Sequence, residues 1–172
     1  MRPIKPQEVK EAVLSMPTSK SLGLDDFTTN FFQHCWNTIK ENVYKIVEDS
    51  RRAGRILPSL NATFLSLIPK ESHVAIAGTF RPISLCNVIH KIITKVIANR
   101  LKPILPTLIA HENTCYVKGR QILDGIILSH EVIHSLKITK FSRMILKLYF
   151  SKAFEKLNLC YIERVLLAFG FN

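Results

Sequence analysis

Only two segments of this chain read as β-strands, and they stand far apart. Asn61 to Ile68 is short, rich in Phe, Leu, Ile and Thr, and closed by Pro69. Met144 to Phe150 alternates, with Met144, Leu146, Leu148 and Phe150 on one face and Ile145, Lys147 and Tyr149 on the other. That two-residue period is what a strand with one buried face requires. A single pair of strands is marginal without further partners. The pattern therefore predicts part of an α+β domain, helix-rich with few strands, whose remaining strands lie beyond Asn172.

The rest of the chain reads as helices and turns. Pro6 suits a first helical turn, and Val9, Val13 and Met16 follow at helical spacing. Ser19 to Asp26, short, polar and centred on Gly23, breaks the pattern. A long helix follows, capped by Thr28 or Thr29, with Phe32, Trp36, Ile39, Val43 and Ile46 along one face. It ends near Gly54, and Arg51 and Arg52 in its last turn complement the helix dipole. Pro82 marks a turn. From about Asn87, the residues Ile89, Ile92, Ile93, Val96, Ile97 and Leu101 trace another helix, with Lys91, Lys95, Arg100 and Lys102 outside its stripe. A loop through Gly119 leads to a helix from about Arg120 to Leu136, and Ile162, Val165, Leu166 and Phe169 form a closing one.

Charge narrows the partners. Lysine and arginine total 24 against 13 acids, a net charge of +11. Such an excess favours a polyanion, because each neutralised phosphate releases condensed counterions. No helix pairs a purely basic face with a purely apolar one, which ranks a membrane surface below RNA or DNA. The four cysteines, at 35, 86, 115 and 160, form no Cys-x-x-Cys pair, so neither a zinc knuckle nor a disulfide framework is indicated. With no apolar signal core and no stretch of the ~20 apolar residues a membrane span needs, the chain is expected to be intracellular.

Four stretches resemble, in order, the reverse transcriptase of non-LTR retrotransposons, the LINE-type elements abundant in plant genomes. Lys20-Ser21-Leu22-Gly23-Leu24-Asp25-Asp26 resembles a Lys-Ser-Pro-Gly-Pro-Asp-Gly loop. Leu67-Ile68-Pro69-Lys70 followed by Phe80-Arg81-Pro82-Ile83-Ser84-Leu85 is similar to the family's fingers motif, which Ala98-Asn99-Arg100-Leu101 closes. Asn113 to Arg120 resembles its Gln-x-Gly-Phe/Tyr loop, and Lys147 to Lys156 its Lys-x-Asp-x-x-Lys-Ala-Phe-Asp palm segment. The resemblance implies that residues 1–172 are a partial reverse transcriptase domain: incomplete fingers and upper palm of a right-hand polymerase, up to its first catalytic motif.

The family's chemistry is RNA-directed DNA synthesis by two Mg²⁺ ions, ~4 Å apart, that clamp the attacking and leaving oxygens. The resemblance implies that one metal-binding carboxylate belongs at the position held here by Tyr149, and two more in a later Tyr-x-Asp-Asp hairpin, which the sequence up to Asn172 does not contain. A phenol is neutral at pH 7 and a poor Mg²⁺ ligand. The expectation is a degenerate site, no metal or other cofactor for this chain, and no catalysis by it alone. By resemblance, Lys70 and Arg81 belong to the fingers surface that meets triphosphate or template backbone. Phe154 falls where the family keeps an aromatic gate against the ribose 2′-OH. The plainer alternatives are solvated charges for Lys70 and Arg81 and a core side chain for Phe154.

Further departures are Leu22 and Leu24 for prolines, Asp26 and Cys115 for glycines, His90 for a tyrosine and Glu155 for an aspartate. Each arises by one base change and none falls on an apolar helix face, the mark of a decayed copy. Leu22 and Leu24 loosen their loop, and Asp26 strains a position that used φ > 0, at about 1 kcal/mol each. Two alternatives remain. One is a non-catalytic basic module that holds RNA or DNA backbone. The other is a zinc hydrolase, since His130-Glu131-Val132-Ile133-His134 spells His-Glu-x-x-His with both imidazoles on one helical face, Glu131 as base and Glu155 as a conceivable third ligand.

Overall fold

The computed structural model describes residues 2–70, 78, 80–139, 144–150 and 156–171. They belong to two compact units, Arg2–Arg100 and Leu101–Asn172. The first contains α1 (Pro6–Leu14), α2 (Thr29–His34), α3 (Trp36–Ala53), α4 (Pro58–Asn61), β1 (Thr63–Pro69), β2 (Phe80–Cys86) and α5 (Val88–Leu101). Its core brings together the apolar faces of α1, α3 and α5. Val9 and Val13 meet Trp36, Val43 and Val47, and Val88, Ile92 and Val96 complete the cluster. Each such side chain contributes roughly 1.5–3 kcal/mol on burial, which is what makes these three helices one body.

The long helix expected from Thr28 to Gly54 is two helices, broken at Cys35. Thr28 caps α2 by accepting a hydrogen bond from the Phe31 N–H at 3.0 Å. The Phe27, Phe31 and Phe32 rings cluster with centroids 4.9 to 6.3 Å apart, which holds α2 as a separate short segment. Gly54 ends α3 in the left-handed region, at φ +63. Arg51 and Arg52 do occupy its last turn, but both also grip the buried Glu48, at 2.6 and 3.3 Å.

Pro82 does not make a turn. It sits inside β2, opposite Leu67, in an antiparallel hairpin whose register runs from Thr63↔Cys86 to Pro69↔Phe80. A two-stranded sheet leaves one unpaired edge on each strand, where a proline is tolerated. The strand expected at Met144–Phe150 is also not found. That segment carries no strand pairing, and Met144, Leu146, Leu148 and Phe150 are as exposed as Ile145 and Tyr149 on the opposite parity. Alternation alone does not make a strand when no described segment supplies the ladder. The architecture is nonetheless α+β and helix-rich, with β1 and β2 as the sheet among the described residues.

The second unit contains α6 (Leu105–Leu108), α7 (Ile122–Ile138) and α8 (Leu159–Ala168). Asp124 reaches back to the Gln121 N–H at 3.2 Å to start α7, and Asn158 caps α8 through the Cys160 N–H at 2.9 Å. Neither helix has a buried residue among those described. No described helix is long and apolar enough to cross a membrane.

Two carboxylates tie the first residues to this body. Glu8 accepts from Lys5 N–H at 2.7 Å and from the Arg100 guanidinium at 2.8 and 3.0 Å, while Arg100 also donates to the carbonyls of Arg2 and Pro3. The Arg100 hydrogen bonds, reinforced by the Lys5 N–H, lower the Glu8 pKa from 4.5 to about 2 against an opposing effect of burial. Glu48 accepts from Ile4 N–H at 3.0 Å, and Arg51 first, then that N–H, lower its pKa likewise to about 2. Carboxyls held below their unfolded value stabilise fully above pH 4.5 and lose that contribution as pH falls toward about 2. Acid unfolding followed by circular dichroism should therefore steepen across that window, and a Glu8→Gln, Glu48→Gln double variant should flatten it. Arg100→Ala, which leaves Glu8 and two carbonyls without their donor, should cost about 2–3 kcal/mol in urea unfolding.

Candidate nucleic-acid interface

Lys70 follows directly on Pro69, the last residue of β1, and Arg81 lies on β2 opposite Ile68. Since side chains alternate along a strand, Arg81 shares a face with Ile68, and Lys70, two residues on, falls toward the same side. Both are exposed, as are Phe64, Ile68 and Ile83 on that same face. The hairpin thus presents two cations at one end of an apolar surface. Phe154 lies outside the described residues. Tyr149 is described, and its ring is 88% exposed.

The loop Lys20–Asp26 is fixed from behind by α5. Asn87, buried just before that helix, accepts from the Asp25 N–H at 3.3 Å and donates to the Ser59 carbonyl at 3.4 Å. Gly23 rests against it so closely that an added Cβ would lie 2.5 Å from the Asn87 Oδ1 and 2.6 Å from its backbone. Lys91 donates to the Ser21 carbonyl at 2.7 Å. Asp26 takes φ +54, the left-handed position at which a glycine is unstrained.

In the second unit the loop Asn113–Arg120 is organised by its last residue. The Arg120 guanidinium donates to four carbonyls, those of Pro106, Ile109, Ala110 and Asn113. A guanidinium carries five N–H donors in a fixed fork, so it can collect divergent carbonyls that no lysine could span. Val117 is buried, Gly119 takes φ +85, and Tyr116 stands fully exposed at φ +61. A bulky residue rarely adopts that conformation, and here the Arg120 contacts and the seated Val117 over-determine it.

Sequence reasoning did not single out Asn87 or the structural part of Arg120. The one signal for Asn87 was its place just before an apolar helical stripe, the position of a polar residue that satisfies nearby backbone groups. Arg100, outside the apolar stripe of α5, has a side chain only 11% exposed and engaged with Glu8.

His130, Glu131 and His134 all lie on α7 and are exposed. Among the described residues no three His, Cys, Asp or Glu side chains come together in a way that could hold a metal ion. Glu155 lies outside the described residues.

The first unit carries the hairpin with Lys70 and Arg81 and the loop held by Asn87, and the second carries the loop held by Arg120. Residues 68–172 match the family model for reverse transcriptase (RNA-dependent DNA polymerase), and the chain belongs to that family. It is also 32% identical over 170 residues to a Xenopus laevis protein described as "Transposon TX1 uncharacterized 149 kDa protein". That match takes in 99% of this chain and 13% of the longer protein.

Arg120→Ala should free the four carbonyls and open the loop around Lys118. Limited trypsin digestion should then cleave after Lys118 about tenfold faster, the factor that ~1.4 kcal/mol of easier local opening produces. An unchanged rate would mean that the loop holds without Arg120.

Proposed function

We propose that this chain is the fingers and upper-palm part of a retroelement reverse transcriptase, of the non-LTR type, which holds template or primer backbone and does not catalyse nucleotide addition by itself. The observation that carries this reading is Tyr149 within the palm segment of a chain that belongs to the reverse transcriptase family. The family position calls for a carboxylate, because a hard divalent cation takes charged oxygen ligands. A phenol in place of that carboxylate does not fit Mg²⁺ there, so no metal-dependent step is assigned to this chain. Lys70 and Arg81 are assigned to phosphate contact and Phe154 to the ribose of an incoming nucleotide. The net charge of +11 supports affinity for backbone without sequence preference.

Two measurements test this. The chain should bind unrelated single-stranded oligonucleotides alike, with a log–log salt slope of about −3 if it neutralises roughly four phosphates. Binding that ignores salt between low and physiological concentration would rule the reading out. In a full-length relative carrying tyrosine at this position, primer extension should be absent and should return on Tyr149→Asp; no recovery would show that the lesion lies elsewhere.

A further inference from the structure

Between the end of α1, the start of the Lys20–Asp26 loop and one face of α5 lies an open concavity of about 640 Å³. Three of the side chains lining it are Lys20, Lys91 and Lys95, and its described lining holds no carboxylate. Lys91 and Lys95 are half-buried, stand one helical turn apart and line the same space. Thr94, between them, turns its hydroxyl toward the carbonyls of His90 and Lys91 at 3.1 and 3.0 Å, leaving the lysines as the charged donors.

The loop wall of this concavity is preformed. Lys91 gives one of its three hydrogens to the Ser21 carbonyl and keeps two for a ligand. Asn87 and Gly23 fix the far side of the same loop, so Lys20 is carried on backbone that does not have to be ordered on binding. The acids of the loop, Asp25 and Asp26, lie outside the lining. A contrast is present in the same unit. A concavity of about 190 Å³ between α1 and α3 also has two lysines, Lys10 and Lys40, but Glu41 stands beside them.

We infer that Lys20, Lys91 and Lys95 form a site for successive phosphate groups of a nucleic-acid strand or of a polyphosphate. Three like charges around one uncompensated space favour several negative charges in a row, and two lysines whose backbones are about 6 Å apart along the helix axis suit a chain of anions better than a single carboxylate. The inference rests on the backbone-binding reading above and adds to it a second locus, distinct from Lys70 and Arg81 on the hairpin.

The test is fluorescence anisotropy of a labelled oligodeoxythymidylate with the whole chain, comparing wild type, a Lys20→Ala, Lys91→Ala, Lys95→Ala variant, and a Lys10→Ala, Lys40→Ala, Lys45→Ala variant that removes the same charge elsewhere. The first variant should bind roughly tenfold or more weakly, with a salt slope shallower by about 2, while the second should change far less. Equal losses in the two variants would overturn the site and leave general backbone binding standing. No binding by wild type would overturn both. Gly23→Ala gives a variant of unchanged charge: weakened binding in a protein whose circular dichroism is preserved supports the preformed wall. Competition with tripolyphosphate at constant ionic strength separates the two sources of ligand. Displacement at matched phosphate concentration assigns the site to a polyphosphate, and resistance to it assigns the site to strand backbone.

Discussion

Glu8 and Glu48 accept the backbone N–H bonds of Lys5 and Ile4, and with the Arg100 bonds to Glu8 and to the Arg2 and Pro3 carbonyls they join the first residues to α1, α3 and α5. Each carboxylate satisfies a backbone N–H and an arginine together, an arrangement in which removing one partner leaves the other buried without compensation. Through Arg100, Glu8 links the start of α1 to the end of α5. The concavity lined by the three lysines lies between the end of α1 and one face of α5, and the Lys20–Asp26 loop is pressed onto Asn87 beside it. The ionic fastening at the beginning of the chain thus joins the same two stretches, α1 and α5, that supply walls of this concavity.

The two braced loops solve one physical problem by different means. A loop cannot bury its own backbone polar groups without partners. In the first unit an asparagine amide, which both accepts and donates, links Asp25 to Ser59. In the second a guanidinium, which only donates, collects carbonyls from α6 and from the segment that follows it. Both solutions leave side chains of the loop pointing outward, Lys20 in one case and Tyr116 in the other.

Helices were legible wherever an apolar stripe ran at three- and four-residue steps, as in α1, α3 and α5, because that spacing follows directly from which faces pack. The break at Cys35 was not legible, since it depends on how three phenylalanine rings meet in space. The hairpin was half legible. Thr63–Pro69 carried the composition of a strand, whereas Pro82 read as punctuation and concealed β2, whose tolerance of a proline comes from having only one neighbour. Met144–Phe150 misled in the other direction, because alternation reports which side chains would share a face and not whether a ladder partner exists. Asp26 was legible as strain, its φ of +54 being what a position built for glycine implies. Family membership was legible because the ordered motifs survive single substitutions, while the environment of Arg100 and Asn87 required tertiary contacts between residues more than sixty positions apart.

The β1–β2 hairpin has a consequence for how the chain behaves in quantity. Leu65 and Ile83 are 62% and 41% exposed, and among the described residues each strand keeps an edge of unpaired backbone groups. Collapse of the α1–α3–α5 core is a first-order event, indifferent to how many other chains are nearby. Pairing of one open edge with another is second-order and speeds up with crowding. Dilution during refolding and slow synthesis in a host therefore favour the monomer, and concentration itself decides between a dispersed protein and a cross-linked mass of strands.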